Sequence, residues 1–241
     1  MNVIRWVVTC EHAGNRVPAE YQSLFGGAED VLNSHRGWDP GAAELTDFLA
    51  PLADWSARHD VTRLLVEINR SRHHPRLFSE FSRNLPLSEG ERILGLYYAP
   101  HRTRVEARIA AFLTRGAEVV HVAVHTFTPE LEGEVRNCDV GILYDPARRC
   151  EVGLARRWKT LIEARESGWR VRFNYPYRGA ADGFTTHLRR RFPVGYAGLE
   201  LEVNQALFRG GNEGWDPALV RGLEVSVEGL KADPPGADVA C

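Results

Sequence analysis

Four short segments hold most of the side chains in this sequence that could do chemistry. They are Thr9-Cys10-Glu11-His12-Ala13-Gly14-Asn15, Glu67-Ile68-Asn69-Arg70-Ser71, His125-Thr126-Phe127-Thr128-Pro129 and Glu200-Leu201-Glu202-Val203-Asn204-Gln205. Each closes an apolar or alternating run. In open α/β sheets, ligands bind beyond the carboxyl ends of the strands. Such ends would deliver two histidines, an Asn–Arg pair and a carboxylate to one rim. Hydrolysis at zinc needs about three His, Asp or Glu ligands, an open position and a nearby base. His12 and His125 are the imidazole candidates, and Asp39, in His35-Arg36-Gly37-Trp38-Asp39, is the carboxylate candidate. Ligands drawn from separate strands have no fixed interval, so spacing alone does not select them.

Each candidate has a plainer reading beside it. His12 and His125 could satisfy loop or core acceptors. His121 lies four residues before His125 on the same strand face, and the strand end favours His125. Asp39 precedes Pro40, and capping a helix is sufficient reason for an Asp there; a partner for a ligand histidine is a third role. Glu200 and Glu202 share one strand face, so alternation does not choose between them. Cys10, two residues before His12, invites a thiol nucleophile, but a reactive thiol needs an oriented base. His73 and His74, in SRHHPR, read as solvated. The arginines of that loop and of 189–191 suggest RNA, yet no aromatic interleaving or nucleic-acid module accompanies them.

The elements that must position these groups alternate in type. Strands are expected at Val3–Thr9, Arg63–Ile68, Val119–His125, Val140–Tyr144, Val171–Phe173 and Gly198–Val203. Helices are expected at Gly41–Leu52, His101–Arg115, Val152–Glu166 and Asp216–Gly229, with Asp39–Pro40 and Asp216–Pro217 as start signals. Alternation of this kind predicts an α/β fold: a single three-layer α/β/α domain on a mainly parallel mixed sheet. No Pro-, Gly- or Ser-rich linker divides the chain. Residues 1–230 are read as one catalytic domain and 231–241 as a flexible tail.

Composition narrows the function classes. The 241 residues are 44% hydrophobic and 26% charged, which excludes disordered, coiled-coil and collagen-like chains. Lys and Arg number 30 against 32 Asp and Glu, so no basic excess exists to hold a nucleic acid. The longest apolar stretch, Val119–Val124, is far short of the roughly 20 residues of a membrane span. The start MNVIRWVVTC lacks the form of a secretion signal. Four unclustered cysteines suggest reduced thiols and a cytoplasmic address.

Seven blocks, in order, carry a family resemblance: CEHAGNRVP, HRGWDPGA, VEINRS, VHTFTP, NCDVGILYD, YPYRGAADG and LEVNQALF. Together they resemble the N-formylglutamate amidohydrolases, relatives of the zinc carboxypeptidases and of the aspartoacylase and succinylglutamate desuccinylase enzymes. The resemblance implies a zinc-exopeptidase-like, phosphorylase/hydrolase-like fold. It implies one Zn2+ and hydrolysis of a small N-acyl amino acid, N-formyl-L-glutamate first, in amino-acid catabolism. It makes His12 the first metal ligand, His125 the last, Glu202 the general base, and Asn69 and Arg70 the grip on a substrate carboxylate. Arg63 matches the carbonyl-polarising arginine at an offset of one residue. Relatives carry an acidic ligand three residues after the first His, where this chain has Asn15; Asp39, Asn15 or His35 is left to complete the set. Arg178, in YPYRG, is the candidate for a second carboxylate, which a guanidinium grips with two parallel hydrogen bonds. A deacylase or carboxypeptidase-like hydrolase with another acyl group, and a binder of acidic amino acids that lost its metal, are the alternatives.

Overall fold

The apolar run ahead of His125 becomes the centre of the sheet. Strand β3 spans Glu118–Phe127, and nine of its ten residues are buried, as a strand covered on both faces requires. It lies between β1 (Ile4–Cys10) and β8 (Tyr196–Asn204). The sheet order is β2-β1-β3-β8-β6-β7, with β2 at Trp55–Arg58, β6 at Val140–Leu143 and β7 at Val171–Phe173. All neighbours are parallel except β6 and β8. A small hairpin, β4 (Glu130–Leu131) and β5 (Glu134–Val135), stands apart after β3. In this computed structural model residues 3–164, 168–209 and 214–233 are described.

Helices α1 (Glu29–Leu32), α2 (Ala42–Leu49), α3 (Leu87–Ile93), α4 (Ala99–Thr114), α5 (Arg149–Glu163), α6 (Phe184–Arg191) and α7 (Pro217–Ala232) complete the regular structure. A π-helical turn at Leu94–Tyr98 joins α3 to α4. The two sheet faces are covered differently. Trp6, Val8, Val120, Val122, Val124, Leu199 and Leu201 pack with Leu45 and Leu49 of α2, Leu154 and Trp158 of α5, and Leu219 and Leu223 of α7. The other face carries Val7, Val119 and Tyr196 against Val105 and Ile109 of α4 and Phe184 and Leu188 of α6. These are the three layers that the alternation predicts.

Further along the α4/α6 face, the strands turn polar. Thr9, His121, His125 and Glu202 are buried there. Parallel register sets His125 opposite Glu202, and His121 opposite Gly198. Alternation puts these residues on one face, since every second residue of β3 and β8 shares it, and the backbone ladder pairs them.

The expected strand at Arg63–Ile68 is not one. Its apolar residues are buried, but in a second core of coil and turns, where Leu64, Leu65, Val66 and Ile68 pack with Tyr21, Phe25, Leu77 and Ile93. Its backbone is satisfied by local and loop bonds, among them Leu65 N–H to Thr62 O at 3.0 Å and Glu67 N–H to Leu77 O at 2.8 Å. A buried apolar run reports burial, not extension. The edge strand β2, four residues of weak pattern, takes the place in the sheet instead.

Asp39 is not a helix cap either. The first turn of α2 follows Gly41, whose φ of +85° suits a residue without Cβ, and a Cβ there would meet Trp215 at 2.5 Å. Asp216 does cap α7, accepting from Ala218 N–H at 2.8 Å. Helix α7 runs to Ala232, past the expected stop, and the rest of the expected tail, 234–241, lies outside the described residues. The expected end of α5 at Glu166 does so as well. Arg189, from the arginine run, is buried on Glu151 at 2.9 Å and on the carbonyls of Gly179 and Gly198. Cys10 and Cys138 are free and buried, whereas Cys150 is disulfide-bonded, against the expectation of four thiols. Among the described residues no helix is long and apolar enough to cross a membrane.

Gly141 joins the sheet to the loop after β7. A Cβ there would lie 2.1 Å from Tyr175 O and 3.1 Å from the Cβ of Glu202. Gly141→Ala is expected to destabilise the fold by about 1–3 kcal/mol through overpacking, read from chemical denaturation midpoints.

Candidate metal centre

The chain turns at the end of β1, so alternation no longer governs Glu11 and His12, and both side chains are buried. The loop carrying Asp39 is tied down by its own N–H, which donates to His12 O at 3.0 Å, and by Thr126 Oγ1, which donates to Pro40 O at 2.9 Å. Asp39 Oδ2 therefore sits 3.2 Å from His12 Nδ1 and 2.9 Å from His125 Nδ1. One ligand atom from each of the three residues lies within 4.8 Å of the others. Ligands about 2.0–2.1 Å from a tetrahedral zinc stand roughly 3.4 Å apart, so the spacing fits such an ion.

The outer nitrogens face carboxylates. His12 Nε2 is 2.5 Å from Glu67 Oε1, and His125 Nε2 is 3.4 Å from Glu11 Oε2, in ion-pair reach without hydrogen-bond geometry. A carboxylate behind a ligand histidine holds the proton on the outer nitrogen and leaves the inner lone pair for a metal. Two imidazoles and a carboxylate, each imidazole backed by an acid, is the donor set of a catalytic zinc site with room for further ligands.

Charge balance sets the titration of the group. Burial pushes Asp39 up, but His12, His125 and Arg63 outweigh it and hold the carboxyl well below its ordinary range. Burial likewise opposes ionisation of Glu67 and Glu11. Arg63 and His12 reverse it for Glu67, and His101 and His125 reverse it for Glu11. His125 is held well above the usual imidazole value: burial lowers it, and Asp39 and Glu11 more than compensate. Glu202 behaves oppositely. Burial raises its pKa to about 8, with Asp39 and Glu200 adding and His125 opposing. Its Oε2 is buried without a hydrogen-bond partner. Perturbed groups of this kind cluster where chemistry is done.

The remaining candidates fall into place unevenly. Arg63 Nε donates to Glu67 Oε2 at 2.7 Å and Nη1 to Asp39 Oδ1 at 3.2 Å, with its side chain 27% exposed. Asn69 accepts Phe184 N–H at 2.8 Å and Arg70 donates to Asp182 O at 2.5 Å, so this pair braces the start of α6. Arg178 is exposed in the loop after β7. Asn15 turns away, its amide donating to Leu32 O and Asn33 Oδ1, and His35 is exposed; neither joins the cluster. His121 is consumed by Thr9 at 2.8 Å and Tyr196 at 2.7 Å. Burial pushes the Cys10 thiol up to about 12, which fits an inert thiol. Sequence reasoning missed Glu67 and Glu11. The signal for Glu67 was its place inside VEINRS, and for Glu11 its place beside His12 in CEHAGNRVP.

Fold and site together define a three-layer α/β hydrolase-type protein with a buried His–Asp–His group, compatible with a metal, at the carboxyl ends of its parallel strands. A family model described as N-formylglutamate amidohydrolase matches residues 4–209, and the chain belongs to that family. Membership makes it a hydrolase of the amidohydrolase class acting on N-acyl amino acids. A solved gene product of Agrobacterium tumefaciens is 27% identical at a TM-score of 0.78, over 95% of this chain and 90% of that one. An N-formylglutamate amidohydrolase from Ralstonia eutropha is 18% identical at a TM-score of 0.71, over 96% and 94%, and shares the fold. A succinylglutamate desuccinylase from Chromobacterium violaceum is 14% identical at a TM-score of 0.46, over 98% of this chain and 62% of that one. No curated protein matches the chain.

Asp39 and Glu11 favour the protonated form of His125, so a metal taking its Nδ1 competes with a proton. Zinc uptake at pH 7 is expected to release protons, seen as a binding heat that varies with buffer ionisation enthalpy. Affinity should fall as pH drops, and His125→Ala should abolish uptake. Heat that is identical in all buffers would speak against His125 as a ligand.

Proposed function

We propose that this chain hydrolyses the formyl amide of N-formyl-L-glutamate, releasing formate and L-glutamate, with one zinc ion held by His12, Asp39 and His125. The observation that carries this reading is the convergence of both Nδ1 atoms on Asp39, with the partnerless Glu202 carboxyl on the strand beside them. A bound zinc supplies Lewis-acid chemistry, acidifying water and polarising an amide carbonyl.

The chain's own residues do the rest. Glu202 takes the proton of the attacking water at a carboxylate oxygen and returns it to the leaving amine nitrogen. Its raised pKa makes it a stronger base than an ordinary carboxylate. Arg63 keeps part of its guanidinium open to the cleft, where it stabilises oxyanion charge on the former carbonyl. Its bonds to Asp39 and Glu67 fix it there before substrate arrives, so little reorganisation is needed at the transition state. Asn69 and Arg70, braced against α6, grip the α-carboxylate. Arg178 offers an exposed cation to incoming acidic substrate. The partner is a small N-acyl amino acid in the cytoplasm; neither nucleic acid nor membrane enters the reading.

Formate release from N-formyl-, N-acetyl- and N-succinyl-L-glutamate, compared with release of the other acids, tests the acyl group; absence of formate overturns the reading. Glu202→Gln is expected to lower kcat by about 10²–10⁴-fold while zinc content, measured by elemental analysis, is unchanged. Arg70→Ala is expected to raise KM by on the order of 10–100-fold, as loss of a charge-assisted pair implies. An unaltered KM would remove it from the grip.

A further inference from the structure

The arm between β3 and β6 brings in a cation that none of the roles above uses. Arg136 follows the β4–β5 hairpin and directly precedes the NCDVGILYD block. Its guanidinium lies 5.9 Å from the ring centroid of Phe127 and 5.2 Å from that of Tyr177. Nη1 donates to the Tyr177 hydroxyl at 3.1 Å and, at the limit of reach, to Thr128 O at 3.5 Å. Among the described residues it makes no ion pair. Other arginines near the site do: Arg63 pairs with Asp39 and Glu67, and Arg36 with Glu80. Half-buried, supported by two rings and met only by neutral acceptors, Arg136 is a cation fixed in place without its counter-charge.

Its position ties it to the mouth of the metal centre. The Tyr177 hydroxyl lies within electrostatic reach of Glu202 and Asp39, and Arg63 feels it in turn. Across the mouth, His35 feels Arg136 ahead of Arg36 and Arg63. The guanidinium thus lies in electrostatic reach of His35, on the segment that leads to Asp39, and is bonded to Tyr177, which itself feels Glu202 and Asp39. An amino acid whose amide lies at the cluster, with its α-carboxylate on Asn69 and Arg70, has one substituent left to place, the side chain.

We propose that Arg136, oriented by Tyr177, is a specificity-determining residue that reads the side-chain carboxylate of a dicarboxylic N-acyl amino acid. This rests on the amidohydrolase reading above. Stacked on rings, the guanidinium loses less freedom on binding than an unsupported one such as Arg178, and its planar fork matches a carboxylate bidentately. Tyr177 adds a hydroxyl on the same side. Selectivity then comes from an anion that completes an otherwise uncompensated pair, and a neutral side chain leaves that cation unmatched.

The test compares kcat/KM for N-formyl-L-glutamate and N-formyl-L-methionine on the zinc-loaded chain. Arg136→Gln is expected to lower the glutamate-to-methionine ratio by on the order of 100-fold, as loss of a charge-assisted bidentate pair implies, and to do so through KM. Arg136→Lys should recover part of that ratio, since a point charge remains. A ratio unchanged within twofold overturns the proposal, and so does an equal loss on both substrates. A wild-type chain that cleaves neither removes the amidohydrolase reading; calorimetric binding of L-glutamate and L-glutamine then decides about Arg136. Preference for glutamate that vanishes in Arg136→Gln supports it. Preference that persists, or no binding of either, overturns it.

Discussion

One carboxylate oxygen holds this site together. Asp39 Oδ2 is shared by two imidazoles that reach it from the ends of different strands. Everything around it is an answer to the cost of burying those charges. A buried ion pair stabilises little by itself, yet removing one partner leaves an unmatched charge worth about 3–5 kcal/mol. Glu67 and Arg63 on one side and Glu11 and His101 on the other extend the balance outward. The arrangement is a set of acids and bases that nearly neutralise one another, with two inner nitrogens and a carboxylate facing a common point. Such a set is poised to exchange protons for a dication.

The sheet makes this affordable by separating its two faces. The face under α2, α5 and α7 is apolar along the central strands and supplies the main core. The face under α4 and α6 is apolar only at one end and carries Thr9, His121, His125 and Glu202 towards the other. Tyr196, His121, Thr9 and Glu11 form a continuous buried hydrogen-bonded chain that ends beside His125. Each of these four residues bonds to the next, which favours placing such a chain inside a protein. Rigidity of β3 and β8 then becomes positional accuracy for His125 and Glu202, because their register is fixed by a ladder of backbone bonds.

On the proposed reading, catalytic groups held on strands and selective groups held on loops divide the work. The metal-type ligands and the base sit at strand ends or on loops bonded directly to them. Arg136, Tyr177 and Arg178 sit on longer connections, where substrate-specific contacts can vary without disturbing the cluster. Even there the structure constrains what it uses. Tyr175 is pressed against Gly141, which faces Glu202 across the antiparallel β6–β8 pair. The loop that carries Tyr177 and Arg178 is thereby seated against the β6–β8 pair that carries Glu202.

By itself the sequence determined the layers, the central strand and four of the helices, because these rest on periodicity, and periodicity is a local record of which side of an element is buried. It also brought forward His12 and His125 through residue type at strand ends, Asp39 through its loop, and Glu202 through the family resemblance. Only the tertiary structure decided that Arg63–Ile68 is coil in a second core, since an apolar run is buried equally well in either form. Only it decided that Asp39 leaves the cap of α2 and turns to the imidazoles, because Gly41 starts that helix and two loop bonds hold the carboxylate inward. The carboxylates behind the histidines, Glu67 and Glu11, belong to the same class of fact. Their role lies in contacts between segments far apart in the chain or at a turn where alternation stops, and no local pattern encodes a distance between such segments.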